Sequence, residues 1–442
     1  MFQRVFIANR GAVAGRIVRA CADLGVESVA AYSDIDADAP HLEAATATAR
    51  LPGYLPEDTY LNVDAIVAAA RAAGADALHP GYGFLAENAS FARAVADAGI
   101  RFIGPAANLV ESLGHKTEAR SLMRSHGFPV HAGSAVLDDE DAALAAAADT
   151  GFPVLLKPAN GGGGIGMTVA ATEAELAFAF RTATTLAERA FGDGSVYLEK
   201  YLARPRHIEF QILGDGQRAA ALFERECSVQ RRHQKLIEES PAPNVDRDAV
   251  DAVAARAASA LEALGYDSLG TVETLLADGE FGFLETNARL QVEHGVTEEV
   301  TGVDLVAAQI RLAAGAPLAD VLPAEVALSG FAVEARVYAE DPVRMLPSAG
   351  RLLTFRLPRM TGVRAEVAYR EGQTVTPYYD PLLAKVIGTG TTREQAIGRT
   401  LVALKAFEVR GVETNRDALR DVLASEPFIA GRLHTRFLDD LL

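Results

Sequence analysis

The sequence predicts an α/β protein of more than one domain, with an open parallel sheet first and strand-rich, antiparallel structure after it. Three observations carry this. The chain has 442 residues, beyond the size at which a single hydrophobic core usually suffices. Roughly its first hundred residues alternate short apolar runs with helical patterns, the pattern of a parallel sheet covered on both faces. From about Gly151 the apolar runs crowd together and are joined by hairpin-like turns.

Taken in order, RVFIA is a short apolar strand, Gly11 turns it, and residues 12–24 have helical periodicity. The strand VESVAAYS follows, then a helix near residues 63–73 and the strands ADALH and RFIGP. Such a sheet binds ligands at the carboxyl ends of its strands. The first turn, ANRGAVAG, lacks G-x-G-x-x-G, so a dinucleotide is not supported. Further on, FPVLLKPAN, GSVYLEKYL, RHIEFQILGDG and GQRAAALFERECSV read as strands, and DDEDAALAAAADT as an ordinary helix. A helix over 248–264 leads into the hairpin GTVETLLADGEFGFLETN. The tail has the strands FAVEARVYAE and AKVIGTG and a helix over 393–407.

Composition narrows the function classes. A net charge of −17 argues against a general nucleic-acid binder, whose phosphate affinity rests on Lys and Arg. No apolar run reaches membrane-spanning length, so no membrane partner is expected. The N-terminus has no basic region followed by a long apolar one. The two cysteines, Cys21 and Cys227, make no metal-ligand spacing and read as buried small residues in a reducing cytoplasm.

Chemistry concentrates in two stretches. LLKPANGGGGIGM sets Lys157 at the end of an apolar strand, ahead of four glycines and Gly166. Consecutive glycines carry an entropic cost unless the backbone must approach something closely or move. Exposed amides beside a lysine suit a polyphosphate, although no G-K-[ST] closes a Walker loop. The second stretch is LETNARLQVEHGVTEEV, residues 284–300, whose first ten residues alternate strictly. In an extended chain, period two places Glu285, Asn287, Arg289, Gln291 and Glu293 on one face. Two acids, a base and two amides along one line are unlike an ordinary solvated strand face.

KPANGGGGIGM, RHIEFQILGD, ERECSVQRRHQK, EESPAPN, ETNARLQVEHGVTEEVTG and HPGYGFLAEN together resemble the biotin carboxylase family of ATP-grasp enzymes. The resemblance runs from ANRG at Ala8 to TRFLDDLL at the tail. It implies an N-terminal α/β domain over 1–113, a helical linker over 114–129 and a small mobile glycine-loop lid over 130–202. An ATP-grasp core over 203–327 and a C-terminal α+β domain over 328–442 complete the division. The activity it implies is a ligase that carboxylates biotin with bicarbonate, using ATP and Mg²⁺ (or Mn²⁺) by way of carboxyphosphate.

The alternation then acquires an expected purpose. Mg²⁺ binds through one or two carboxylates plus substrate phosphates. Glu285 and Asn287 supply oxygens, and Glu273 on the partner strand of the hairpin another. For Glu273 and Glu285 to share a face, the connection must hold an odd number of residues. A three-residue loop of Ala277, Asp278 and Gly279, with Gly279 left-handed, is predicted; a two-residue Asp-Gly turn would part the acids. Arg289 offers a fork of donors for a planar anion such as bicarbonate. Gln291 and the Val292 backbone complete the cradle, and Glu293 serves as general base, ionised beside its cations.

The remaining assignments come from the resemblance. Lys235 holds bicarbonate and phosphate, and Arg336 faces the phosphate and the ureido oxygen of biotin. Lys116, Lys157, Gly162, Gly163, Gly164, Glu199, Lys200, Leu202, His207, Gln230, His233 and Leu275 match nucleotide positions. Arg231 and Arg232 read as structural, and His79 and His126 as core or surface.

With no A-M-K-M-type biotinylation sequence and no room for a carboxyltransferase, the biotin is expected on a separate carrier protein, and the acceptor is chosen by a transferase subunit. A homodimer is expected, with Arg19 and Asp23 either at the interface or as an ion pair on the helix surface. Ile165, Gly295 and His115 stand where the family usually has Arg, Pro and Asp. With SPAPN, YYDPLLAK and HTRFL they bring the chain closer to urea-type carboxylases than to acetyl-CoA enzymes. The alternatives are an ATP-grasp ligase that works without biotin on another small molecule, and a non-catalytic subunit.

Overall fold

The computed structural model describes residues 1–160, 164–342, 344 and 346–441. The expected Gly162 and Gly163 contacts fall outside the described residues.

The N-terminal sheet is parallel throughout, in the order Ala47–Leu51, Glu27–Ser33, Arg4–Ile7, Ala77–His79, Arg101–Phe102. Period-two alternation divides its side chains between two cores. Val5, Ile7 and Ala30 pack with Val13 and Ile17 of the helix Gly11–Asp23. Phe6, Ala8, Val29, Ala31 and Leu78 pack against Ile66 of Val63–Ala72 and Phe91 of Ala89–Asp97. The latter two helices start on Asn62 and Asn88, whose side chains accept the Ala65 and Phe91 amides.

A small unit holds the glycine loop. Its antiparallel sheet places Val154–Pro158 between Thr168–Ala170 and Val196–Lys200. The helices Glu140–Thr150 and Glu173–Phe191 close a separate core around Leu156, Ala183 and Leu198.

The largest element is an eight-stranded sheet. Its order is Glu280–Asn287, Leu269–Ala277, Arg206–Gly214, Ala219–Arg231, Gln234–Ser240, Phe331–Tyr338, Leu382–Gly390, Val363–Val367. The pairing of Gln234–Ser240 with Phe331–Tyr338 carries this sheet without a break across the expected boundary at residue 327. On one side, Val250, Val253, Ala257 and Leu261 of the helix Arg247–Ala263 meet Ile208, Phe210, Ile212 and Phe283. The helix Arg393–Ala406 and the last short helices cover the C-terminal strands. Among the described residues no helix is long and apolar enough to cross a membrane.

The structure corrects two sequence expectations. Ala277 pairs directly with Glu280, so the hairpin closes through a two-residue Asp278-Gly279 turn, both residues at positive φ (52° and 83°). This turn matches strand twist better than the three-residue loop predicted. Glu273 nevertheless lies directly opposite Glu285, because the register shifts next to it: Thr274 faces Phe283 and Leu284 is the extra residue of a β-bulge. The bulge supplies the odd residue that the turn does not. The second correction concerns residues 284–293, of which only those up to Asn287 lie in a strand. Arg289, Gln291 and Glu293 sit in a bend and turn that run into the helix His294–Thr301.

Candidate active site

The side of the large sheet turned away from the Arg247–Ala263 helix is polar. Along Arg206–Gly214, the residues between Ile208, Phe210 and Ile212 are His207, Glu209 and Gln211, all buried. Arg225 lies opposite Glu209 on the next strand and is fully buried. It donates to Glu209 Oε1 (2.6 Å), Gln211 Oε1 (2.7 Å), Thr297 Oγ1 (2.8 Å) and Thr271 Oγ1 (3.1 Å).

Lys235, one strand further, is the centre of the site. Its ammonium donates to Glu209 Oε2 at 2.5 Å, Glu273 Oε1 at 2.7 Å and Glu293 Oε1 at 2.6 Å, which uses all three of its donors. Burial alone would lower the Lys235 pKa, but Glu209, Glu273 and Glu293 outweigh it and hold the value well above the ordinary one. Burial would raise Glu293, yet Lys235, Arg336 and Arg225 hold that carboxylate well below the usual range. Glu273 is likewise lowered, burial being overcome by Lys235 and His207. Glu209 goes the other way: burial and the neighbouring Glu293 and Glu273 lift it despite Lys235 and Arg225.

The turn after Asn287 wraps around this centre. Gln291 and Asn287 donate to Glu273 Oε1 at 3.1 and 2.8 Å. Arg289 donates to Gln291 Oε1 and Asn287 Oδ1, each at 2.9 Å, and to Glu87 Oε2 at 2.7 Å. Glu87 also accepts the Ala288 amide, tying the N-terminal domain to the turn. Arg336 bridges Glu293 (2.9 Å) and Glu238 (2.5 Å). His207 Nε2 lies 2.9 Å from Glu273 Oε2 while its Nδ1 meets Gln230 Nε2 at 2.8 Å. Since that amide nitrogen donates, Nδ1 accepts.

The other expected nucleotide residues form a second group. Lys157 and Arg120 grip the buried Glu199 carboxylate at 2.6 and 2.7 Å. The described end of the glycine loop packs on His233: a Cβ at Gly164 (φ +74°) would stand 2.2 Å from its ring, so only glycine fits there. Burial and the nearby Lys157 and Lys116, against Asp439, lower the His233 pKa, which marks a basic region. Lys116 in turn lies 4.0 Å from Glu285. Leu275 is half-buried opposite His207, its carbonyl accepting from His131. Leu202 is half-buried in the segment after Val196–Lys200. The Lys200 ammonium is turned into the lid, onto the carbonyls of Gly151 and Phe152 (2.9 Å each).

The expected metal ligands are oxygen donors on one hairpin face, which suits a hard divalent cation completed by phosphate oxygens. Glu273 is kept ionised, and Glu285, directly opposite it, is partly exposed and within reach of a ligand. Asn287 has its oxygen on Arg289 and its nitrogen on Glu273, so as a ligand it would exchange the first of these. The donor set fits Mg²⁺.

Elsewhere, Arg231 pairs with Glu340, Arg232 and His233 form an exposed positive-φ turn, His79 is buried and His126 exposed. Arg19 pairs with Glu366 (3.5 Å) and not with Asp23. Sequence reading missed Glu209, Arg225, Glu238 and Glu87. The first three had a signal in the alternating polar positions of RHIEFQ, ERECS and IEES. Glu87 had none, since its partner Arg289 is some two hundred residues away.

Family models match in three consecutive blocks: the biotin carboxylase N-terminal domain over residues 1–110, the carbamoyl-phosphate synthase L chain ATP-binding domain over 115–321, and the biotin carboxylase C-terminal domain over 334–440. A biotin carboxylase of Halalkalibacterium halodurans is 47% identical, over 100% of this chain and 98% of its own length. The Campylobacter jejuni biotin carboxylase, in a β,γ-ATP complex, superposes with a TM-score of 0.96 at 38% identity, over 100% of this chain and 99% of that one. The biotin carboxylase domain dimer of the Hydrogenobacter thermophilus 2-oxoglutarate carboxylase, bound to MgADP, ADP and bicarbonate, superposes with a TM-score of 0.95 at 41% identity, covering 100% and 98%.

Proposed function

The chain belongs to the biotin carboxylase family of ATP-grasp enzymes, and from that membership we propose how its site performs the family reaction, the ATP- and Mg²⁺-dependent carboxylation of biotin with bicarbonate. The observation that carries the reading is the Lys235 ammonium among Glu209, Glu273 and Glu293, with the guanidinium groups of Arg336 and Arg289 alongside. A site that keeps Glu293 ionised among cations can hold the negative charge that develops on a bound anion, and can take that anion's proton once a cation is drawn off the carboxylate.

In this reading Arg289, Gln291 and the Val292 backbone hold bicarbonate, and Glu293 accepts its hydroxyl proton as the oxygen attacks the γ-phosphorus of ATP, whose bond to the β,γ-bridging oxygen breaks so that ADP leaves. Glu293 is a weak base while Lys235 is wholly engaged by carboxylates. Phosphate oxygens that draw Lys235 away would raise its basicity towards the working pH. Lys116, Lys157, Lys235 and Arg289 offset charge as the phosphoryl group transfers. Glu273, Glu285 and Asn287 would hold Mg²⁺, which when bound neutralises phosphate oxygens. Glu199, Lys200, Leu202, His207, Gln230, His233, Leu275 and the glycines 162–164 surround the nucleotide. The lid excludes water, which would otherwise hydrolyse carboxyphosphate. Arg336 steadies the phosphate and the biotin ureido oxygen.

The chain then acts as one part of a biotin-dependent carboxylase. Its proposed partners are a separate biotin carrier protein, a carboxyltransferase subunit that selects an acyl-CoA or a urea-type acceptor, and a second copy of the chain, in the cytoplasm. The division of the chain after residues 113, 129, 202 and 327 is kept as a proposal for its domains, with one sheet shared across the last boundary. The test is steady-state ATP hydrolysis by the purified chain with Mg²⁺. Hydrolysis that requires bicarbonate and rises with free biotin supports the reading. Hydrolysis indifferent to biotin points to a biotin-independent ligase, and none at all to a non-catalytic subunit.

A further inference from the structure

We infer that Lys385 is a positioning residue for the bicarbonate cradle: from beneath the site it fixes the peptide that joins Val292 to the base Glu293. The inference rests on the functional reading above and deepens it.

Lys385 lies on the strand Leu382–Gly390, cross-strand from Arg336 on one side and Glu366 on the other. Its side chain is fully buried. The ammonium donates to the Val292 carbonyl at 2.6 Å and pairs with Glu366 Oε2 at 2.7 Å, with Glu334 Oε2 3.8 Å away. A buried ammonium is an expensive way to hold one carbonyl; a neutral donor would serve if the turn needed only to be closed. What distinguishes this turn is its load, since the next residue is the general base.

The peptide bond explains what the contact does. It is planar and trans, so a carbonyl anchored on Lys385 sends the Glu293 amide N–H the opposite way. The preceding carbonyl is held too: His294 Nδ1 meets Gln291 O at 2.7 Å. A carbonyl oxygen only accepts, so that nitrogen carries the proton. Burial, with Lys385 and Arg16 and against Glu366, keeps the His294 ring neutral. Two successive carbonyls are therefore drawn to one side of the turn. Among the described residues neither the Val292 nor the Glu293 amide donates to a protein acceptor, which leaves both for an anion. The turn lies close against the sheet: a Cβ at Gly295 would come within 2.5 Å of Ile387 Cδ1 and 3.3 Å of Glu334 Oε2. A fully buried residue thus sets the orientation of the Glu293 amide and the origin of the Glu293 side chain, beside the Val292 amide that His294 orients through the Gln291 carbonyl.

The test compares the wild type with Lys385→Arg, Lys385→Met and the double variant Lys385→Met/Glu366→Gln, which removes the buried ammonium together with the charge of the carboxylate it meets. Bicarbonate-dependent ATP hydrolysis gives KM for bicarbonate and for ATP separately, and thermal denaturation reports folding. The expected result is a rise in KM for bicarbonate of roughly tenfold or more in the folded charge-removing variants, with KM for ATP changed by less than about twofold. Lys385→Arg, which keeps the cation and alters only its reach, is expected to fall between them and the wild type, and it decides the question if the methionine variants do not fold. The inference is overturned if KM for bicarbonate is unchanged in Lys385→Arg and in every folded methionine variant. Equal rises in the two KM values overturn it as well, because they indicate a general loosening. A wild type without bicarbonate-dependent hydrolysis overturns the functional reading itself, an outcome that the first control separates from the rest.

Discussion

Replacing Lys235 by Met should reverse the pH dependence that Glu273 and Glu293 give to stability. In the wild type the ammonium stands between three carboxylates, and oxygens of Glu209 lie within 4.8 Å of both Glu273 and Glu293. Without the cation these pairs face each other directly. At an effective dielectric of about 20, two unit charges at that separation repel by about 3.5 kcal/mol, equivalent to a rise of roughly 2.5 pKa units in one of them. From an unfolded value of about 4.3, the raised group then titrates near pH 7 in the folded chain. A carboxyl whose folded pKa lies above its unfolded value stabilises the fold below that window and loses the contribution as pH rises through it. Wild-type Glu273 and Glu293 are lowered, so their contribution is present above the unfolded value and lost as pH falls. Thermal denaturation between about pH 5 and 8 should therefore show the variant losing stability relative to the wild type as pH rises, by about 2 kcal/mol across the window. Bicarbonate-dependent ATP hydrolysis should fall by about 100-fold or more. A variant whose stability runs parallel to the wild type over this range would refute the account of the cluster.

Glu285→Gln removes a half-exposed carboxylate that supports little folding, so stability should move by less than about 0.5 kcal/mol, while the Mg²⁺ concentration for half-maximal ATP hydrolysis rises by about tenfold or more. Deleting Leu284 removes the bulge yet leaves Glu285 opposite Glu273, since unbroken pairing from the two-residue turn then brings the two together; Mg²⁺ activation should persist, and its loss would show that the bulge does more than set which residues face each other. Arg225→Met leaves Glu209 buried beside Glu273 and Glu293 with one cation fewer, which should cost about 3–5 kcal/mol in denaturant unfolding; a loss below about 1 kcal/mol would mean that Lys235 alone holds the cluster.

The sequence resolved the fold where local rules agree. The continuous apolar run in RVFIA and the helical pattern behind it pointed to a two-sided parallel sheet, and that sheet is present. It marked candidate site residues where polar groups alternate, as at Glu285 and Asn287, while Lys235 came from the family resemblance. It failed where long-range pairing overrides local signal. Glu87 meets Arg289 only because the N-terminal domain folds back over the hairpin, and no spacing in either segment foretells that contact. The Lys200 side chain follows a strand consistent with a nucleotide contact, yet the lid's own carbonyls claim its ammonium.

The hairpin shows why parity arguments succeed or fail together with function. Turn length sets which residues face one another only if pairing is unbroken, and here a single extra residue, Leu284, changes the parity within the strand. A sequence with a favourable two-residue Asp-Gly turn and a functional need for two acids on one face has two solutions: lengthen the turn or bulge the strand. The bulge is the better of the two because it preserves the turn chemistry at the tip and leaves Ala277, Leu276 and Leu275 paired with Glu280, Phe281 and Gly282. Phe281 and Phe283 then stay in the core beneath the Arg247–Ala263 helix, while Glu285 and Asn287 lie on the face of Glu273. Core and site occupy opposite faces of one sheet, and because the bulge falls between Phe283 and Glu285 the phenylalanines keep the core face while the acids reach the site face. Folding energy thereby holds the geometry that the chemistry requires.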